Sequence, residues 1–233
     1  MSLVLLTALG VGGATVAGAV IGFLFQQSAA KHGPGILCFA AGVMLAASVM
    51  GLILPSLDYG GLWTTIFGIC SGALCIRLLD RYIPHLHSLT GDRDLERVVL
   101  FVCAIAIHNF PEGLAAGVSF GTDSTADAMV IAFSIAAQNF PEGMILITPM
   151  ITAGVRPWKT LLCAMATGLV EVIGTFLGYF AVVAARGILP FSLAFAGGTM
   201  LYVIVEDMLP HKNAAPPLLA GFCLMLILDQ VIK

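Results

Sequence analysis

The chain has 233 residues, 59% of them hydrophobic and only 10% charged, with a net charge of −3. Soluble domains carry about 25% charged residues, so this composition excludes a soluble globular protein and reads as an integral membrane protein. Near-neutral charge without a basic block excludes nucleic acid as a partner.

At roughly 20 apolar residues per span, the length accommodates about eight helices in one domain, 1–233, with no soluble domain beside it. Hydropathy and helix breakers predict spans near 3–25, 35–55, 61–82, 97–120, 126–151, 158–185, 189–209 and 215–232. The first has no positive residue before it and is too long for a signal-peptide core, so it is read as a span. The expected fold is therefore all-α and polytopic.

Lys31, Arg77, Arg81, Arg93, Arg97, Arg156, Lys159 and Lys212 fall at the first, third, fifth and seventh connections, against Arg186 and Lys233 on the other side. That asymmetry predicts cytoplasmic odd-numbered connections, with both termini outside. The longest loop, about 83–96, is then cytoplasmic and carries His85 and His87, which read either as solvated or as metal-handling histidines. Cys38, Cys70, Cys75, Cys103, Cys163 and Cys223 all lie in apolar stretches without a CxxC pair and read as small packing residues.

Two internal repeats stand out. At a constant offset, Gly12, Gly18, Gly22, Pro34, Phe39, Gly42, Met44 and Leu45 map without a gap onto Gly168, Gly174, Gly178, Pro190, Phe195, Gly198, Met200 and Leu201. Since the first helix starts outside and the sixth inside, the copies are inverted: helices 1–3 pair with helices 6–8 and flank two central helices, a 3+2+3 arrangement. Inverted repeats of this kind characterise secondary transporters, with the substrate near the bilayer midplane.

The second repeat falls on those central helices, as His108-Asn109-Phe110-Pro111-Glu112-Gly113 and Gln138-Asn139-Phe140-Pro141-Glu142-Gly143. On a helix, His108 and Asn109 lie one turn above Glu112, and Gln138 and Asn139 one turn above Glu142. Pro111 and Pro141 free the carbonyls of Ile107 and Ala137 and predict kinks at the polar stripe. Glu171 adds a third carboxylate in the sixth helix, with nothing nearby in sequence to neutralise it.

An intramembrane carboxylate costs about 2.5–3.5 kcal/mol even on lenient scales, which makes it a functional-site candidate. The simplest partner is a divalent cation. Two glutamates balance one such ion, and a third favours a second ion or a bound proton. One imidazole with carboxylate and amide oxygens suits zinc, cadmium, iron(II) or manganese; copper(I) prefers sulfur, and magnesium prefers oxygen and water. Met44 offers a thioether from the second helix, or plain packing. Glu206, Asp207 and His211 read as an exit lining or as headgroup-zone residues. Asp80 and Asp229 read as solvated carboxylates at helix ends.

A metalloenzyme is disfavoured: HExxH is absent, and so is a nucleophile with a base beside it. A passive cation channel built on the same ligands stays open. No prosthetic cofactor is expected.

HNFPEGLAAGVSFG (108–121) and QNFPEG (138–143), followed by Glu171, resemble the ZIP (Zrt- and Irt-like) family of metal transporters, and its GufA-type branch most closely. The resemblance spans essentially the whole chain. It implies a first metal site of His108, Glu112, Gln138 and Glu142 with help from Met44. It also implies an adjacent second site of Asn109, Asn139 and Glu171 bridged by Glu112 and Glu142. Asn139 stands where some members have aspartate, one negative charge fewer, and the third loop is poorer in histidine than in many members. Also implied are zinc import toward the cytoplasm, residence in the cell's inner membrane, and alternating access in which helices 1, 4, 5 and 6 move against helices 2, 3, 7 and 8. Dimerisation rests on the family analogy alone.

Overall fold

The computed structural model describes residues 1–82, 106–107, 109–122, 124–152, 155–209 and 214–232. Among them are seven α-helices: α1 (Ser2–Leu24), α2 (Gln26–Ala47), α3 (Leu54–Tyr82), α5 (Thr125–Thr152), α6 (Pro157–Ala184), α7 (Leu189–Val203) and α8 (Ala215–Ile232). A shorter helical run at 109–118 is called α4. Among the described residues, five helical segments are long and apolar enough to cross a membrane. The protein is all-helical and polytopic.

Burial follows the logic of a protein solvated by lipid. The buried face of α6 carries Thr160, Ala164, Thr167, Gly168, Glu171, Gly174, Thr175 and Gly178. Its exposed face carries Leu162, Met165, Leu169, Ile173, Leu177 and Phe180. Small and polar side chains point inward and large apolar ones outward, because lipid gives no reason to hide the latter while close backbone packing requires the former.

The second predicted span needed correction. A start at 35 was expected because Gly33-Pro34-Gly35 reads as a breaker, but Pro34 sits inside α2, which begins at Gln26. Proline deletes one amide hydrogen bond, and the helix continues past it. Beyond Ala47 the chain runs through a π-helical stretch, Ser48–Ile53, straight into α3. The reversal comes at Gly61 (φ 71°, ψ 177°), a conformation open essentially to glycine. On a continuous helix Ser56 and Thr65 would stand about 13 Å apart, yet their hydroxyl oxygens are 3.0 Å apart. Ser56 also donates to the Pro190 carbonyl at 2.7 Å, fastening the turn to the start of α7.

α1 lies along α5 and α6, and α3 along α7; α2 lies along α8 and also along α5. At many of these crossings glycines set backbone against backbone, and the contacts come in matched pairs. A Cβ at Gly113 would collide with the Glu171 carbonyl, and one at Gly143 with the Thr15 carbonyl. Gly18 meets the Phe140 carbonyl as Gly174 meets that of Phe110. Gly221 meets the Phe39 carbonyl as Gly72 meets that of Phe195. Gly12 and Gly168 meet each other. A second π-helical stretch, Ile204–Met208, follows α7 as the first follows α2.

Two smaller expectations also change. Cys38 is buried and Cys75 and Cys163 are partly so, but Cys70 and Cys223 are exposed on the apolar exterior, where a thiol is as acceptable to lipid as a methyl group. Cys103 lies outside the described residues. Asp229 is not a solvated end-of-helix carboxylate: it is 5% exposed. It lines a cavity of about 340 Å³ with Asp58, Tyr59, Thr122 and Asp127, where α5 starts and α8 ends. The side chains of Asp80 and Asp207, with His85, His87 and His211, lie outside the described residues; Glu206 is exposed.

Candidate metal site

α4 and α5 bring their polar stripes to a common interior point because each motif glycine seats on a neighbouring helix. Gly113 packs on the α6 backbone at Glu171, and Gly143 on the α1 backbone at Thr15. No side chain fits there, so the residues one position before, Glu112 and Glu142, are carried in with the backbone. α5 remains one helix through Pro141.

Six of the eight residues expected at the site are drawn together. Glu112, Asn109, Gln138, Asn139 and Glu171 are all at most 2% exposed, and Glu142 is half-buried. Gln138 Nε2 donates to Glu112 Oε1 at 2.9 Å. Asn139 Nδ2 donates to Glu171 Oε2 at 2.6 Å, and Asn109 Nδ2 to Glu171 Oε1 at 2.5 Å. Glu112 lies within electrostatic range of both Glu142 and Glu171. Met44 is buried in the central apolar cluster with Val11, Ala115 and Ile135. His108 lies outside the described residues.

One participant was missed in the sequence. Thr15, 2% exposed, donates its hydroxyl to Glu171 Oε1 at 2.6 Å. A threonine in a glycine-rich helix carries no signal by itself. The offset relating the two halves did contain it, since Thr15 and Glu171 stand 156 positions apart, in register with Gly12 and Gly168.

The two ends of the site differ in how their oxygens are satisfied. Glu171 is held by three donors from three helices. Glu112 Oε2, Gln138 Oε1 and Asn139 Oδ1 are buried acceptors with no hydrogen-bond partner. Each such group costs about 1–3 kcal/mol when left unmatched. Among the described residues no lysine or arginine acts on Glu112 or Glu171. Nor do three His, Cys, Asp or Glu side chains form a compact ligand cage among the described residues. The unmatched oxygens are therefore shared between a carboxylate and two amides. Since the amide nitrogens are pinned to carboxylates, the amide oxygens are turned away from them, and such a set suits a cation.

A family model described as ZIP zinc transporter matches residues 87–229. The zinc transporter ZIPB of Bordetella bronchiseptica is 35% identical over 94% of this chain and 78% of that protein. The zinc transporter GufA of Myxococcus xanthus is 35% identical over 70% of this chain and 69% of its own length. The zinc transporter ZIP11 of Homo sapiens is 29% identical over 93% of both.

Proposed function

Because the chain belongs to the ZIP zinc transporter family, a family of transporters and not of enzymes, we propose that it moves a divalent transition metal, zinc foremost, through the site between α4, α5 and α6. The observation that carries this reading is the set of three unmatched buried oxygens on Glu112, Gln138 and Asn139. Glu112 and Glu142 balance one dication. His108 and Gln138 complete the first seat, with the Met44 thioether on the α2 side. Asn109, Asn139 and Glu171 form the adjacent seat, whose carboxylate accepts from three donors while Asn139 Oδ1 is left for the ion. Oxygen and imidazole nitrogen select zinc, cadmium, iron(II) or manganese over copper(I) and magnesium.

The 3+2+3 inverted arrangement of eight spans is part of the same proposal. Support comes from the matched glycine contacts, which relate α1 to α6, α2 to α7, α3 to α8 and α4 to α5. Alternating access follows. Among the described residues, every backbone-to-backbone glycine contact falls within α1, α4, α5 and α6 or within α2, α3, α7 and α8. Across the boundary the contact is of another kind, as where Gly51 meets the Ile131 side chain. Locked backbones tie α1, α4, α5 and α6 together, α2 to α8 and α3 to α7, and side-chain contacts between these units can exchange partners. The lysine and arginine distribution sets both termini outside the inner membrane, with import toward the cytoplasm.

Radiozinc flux into proteoliposomes, with cadmium, iron(II) and manganese as competitors, tests this on the parent and on Glu142→Ala. Saturable uptake that the substitution abolishes while membrane insertion stays normal supports the carrier. Non-saturating flux with single-channel currents would make it a passive channel, and no flux in the parent would overturn the reading.

A further inference from the structure

The geometry points to Thr15 as a positioning residue of the metal site, acting through Glu171 from α1, which carries no ligand of its own. The inference rests on the proposed transport function and extends it to α1.

Three observations carry it. Thr15 Oγ1 donates to Glu171 Oε1 at 2.6 Å in a fully buried setting, on the same oxygen that accepts from Asn109. The two residues are structural counterparts: Gly113 of the first motif seats on the Glu171 carbonyl, and Gly143 of the second on the Thr15 carbonyl. The paired halves thus place a hydroxyl where symmetry would place a second carboxylate, and that hydroxyl binds the one carboxylate present, Glu171 of the other half. Finally, Glu171 holds the amide nitrogens of both Asn109 and Asn139, while Asn139 Oδ1 is left unmatched.

The chain of positioning runs from Thr15 to Glu171 to Asn139. Thr15 fixes the carboxylate, the carboxylate fixes the amide nitrogen, and the amide oxygen is thereby aimed. Asn139 Nδ2 has a second, longer contact to the Val11 carbonyl on α1, at 3.4 Å. Without the Thr15 hydroxyl, Glu171 Oε1 keeps Asn109 as its one donor, and the carboxylate that aims Asn139 is held less firmly. Loss of a hydrogen bond that orients a ligand from outside typically costs about 10–100-fold in metal affinity, and the effect is expected on capture of the ion.

Thr15→Val and Thr15→Ser separate this from packing. Valine keeps the shape and removes the donor; serine keeps the donor and removes a methyl group. In zinc uptake by proteoliposomes, Thr15→Val is expected to raise KM about tenfold with maximal rate within twofold of the parent, and Thr15→Ser to match the parent. Equilibrium dialysis of zinc against the purified protein should show the same tenfold weakening for valine, and none of it once Glu171→Gln is also present. If valine behaves as the parent and serine is impaired, Thr15 merely packs and the inference is overturned. If the valine effect persists undiminished beside Glu171→Gln, it does not act through that carboxylate, and the inference is again overturned. A parent that transports zinc while valine is silent leaves the proposed function standing; a parent that neither binds nor moves zinc removes both.

Discussion

Asn139→Asp exchanges a donor for an acceptor at the best-defined point of the site. Asn139 Nδ2 lies 2.6 Å from Glu171 Oε2, and both residues are at most 1% exposed. Aspartate places two carboxylates in that space. At a charge separation of about 4 Å and an effective dielectric near 20, their repulsion is about 4 kcal/mol. The lost charge-assisted hydrogen bond adds about 2 kcal/mol. About 6 kcal/mol, with both carboxylates ionised, is a large share of a protein's net stability, and for a chain of this length it lowers the melting temperature by roughly 12–24 °C. A dication between the two carboxylates reverses the sign of the interaction. Thermal unfolding of the purified protein in detergent, with chelator and with saturating zinc, reads both effects. The substituted protein should unfold well below the parent with chelator, recover most of the loss in zinc, and bind an additional equivalent of zinc in dialysis. Equal stability of the two proteins in chelator, with no growing deficit of the aspartate form as pH rises, would refute the geometry, because two carboxylates in one buried space either repel or hold a proton that is lost at high pH.

The helix contacts give two further expectations. Gly18→Ala drives a Cβ into the Phe140 carbonyl; overpacking of about 1–3 kcal/mol outweighs a helix-propensity gain of about 1 kcal/mol, so the melting temperature falls. Gly13→Ala, with no atom within 4 Å of the added carbon, leaves it unchanged or raised. Gly61→Ala forces a side chain onto φ 71° and should cost about 1–3 kcal/mol in the same measurement, since the reversal between α2 and the rest of α3 depends on that residue.

Much of this architecture is legible in the sequence, and the exceptions have physical reasons. Spans α5 to α8 are marked by long apolar runs, and their ends fall within a residue or two of hydropathy boundaries once the π-helical stretch Ile204–Met208 is counted with α7. The carboxylates are conspicuous because charge in an apolar run has few uses. Pro34 misled because a breaker signal describes local cost, while helix α2 is held by packing on α8 and α5. Asp229 misled because closeness to a helix end says nothing about which neighbours cover it. Thr15 was invisible as a single residue, since a hydroxyl among glycines is unremarkable until the carboxylate opposite it is known. The division of the site into a satisfied carboxylate and an unsatisfied set of oxygens is a property of three-dimensional placement. Spacing within one helix carries none of it.

Anomalous scattering at the zinc edge, from crystals of the parent protein grown with zinc, locates the ion directly. The account predicts the strongest peak between α4 and α5, within coordinating distance of Glu112, Gln138 and Glu142. A peak confined to the cavity of Asp58, Asp127 and Asp229, with none between the two motif helices, would contradict it.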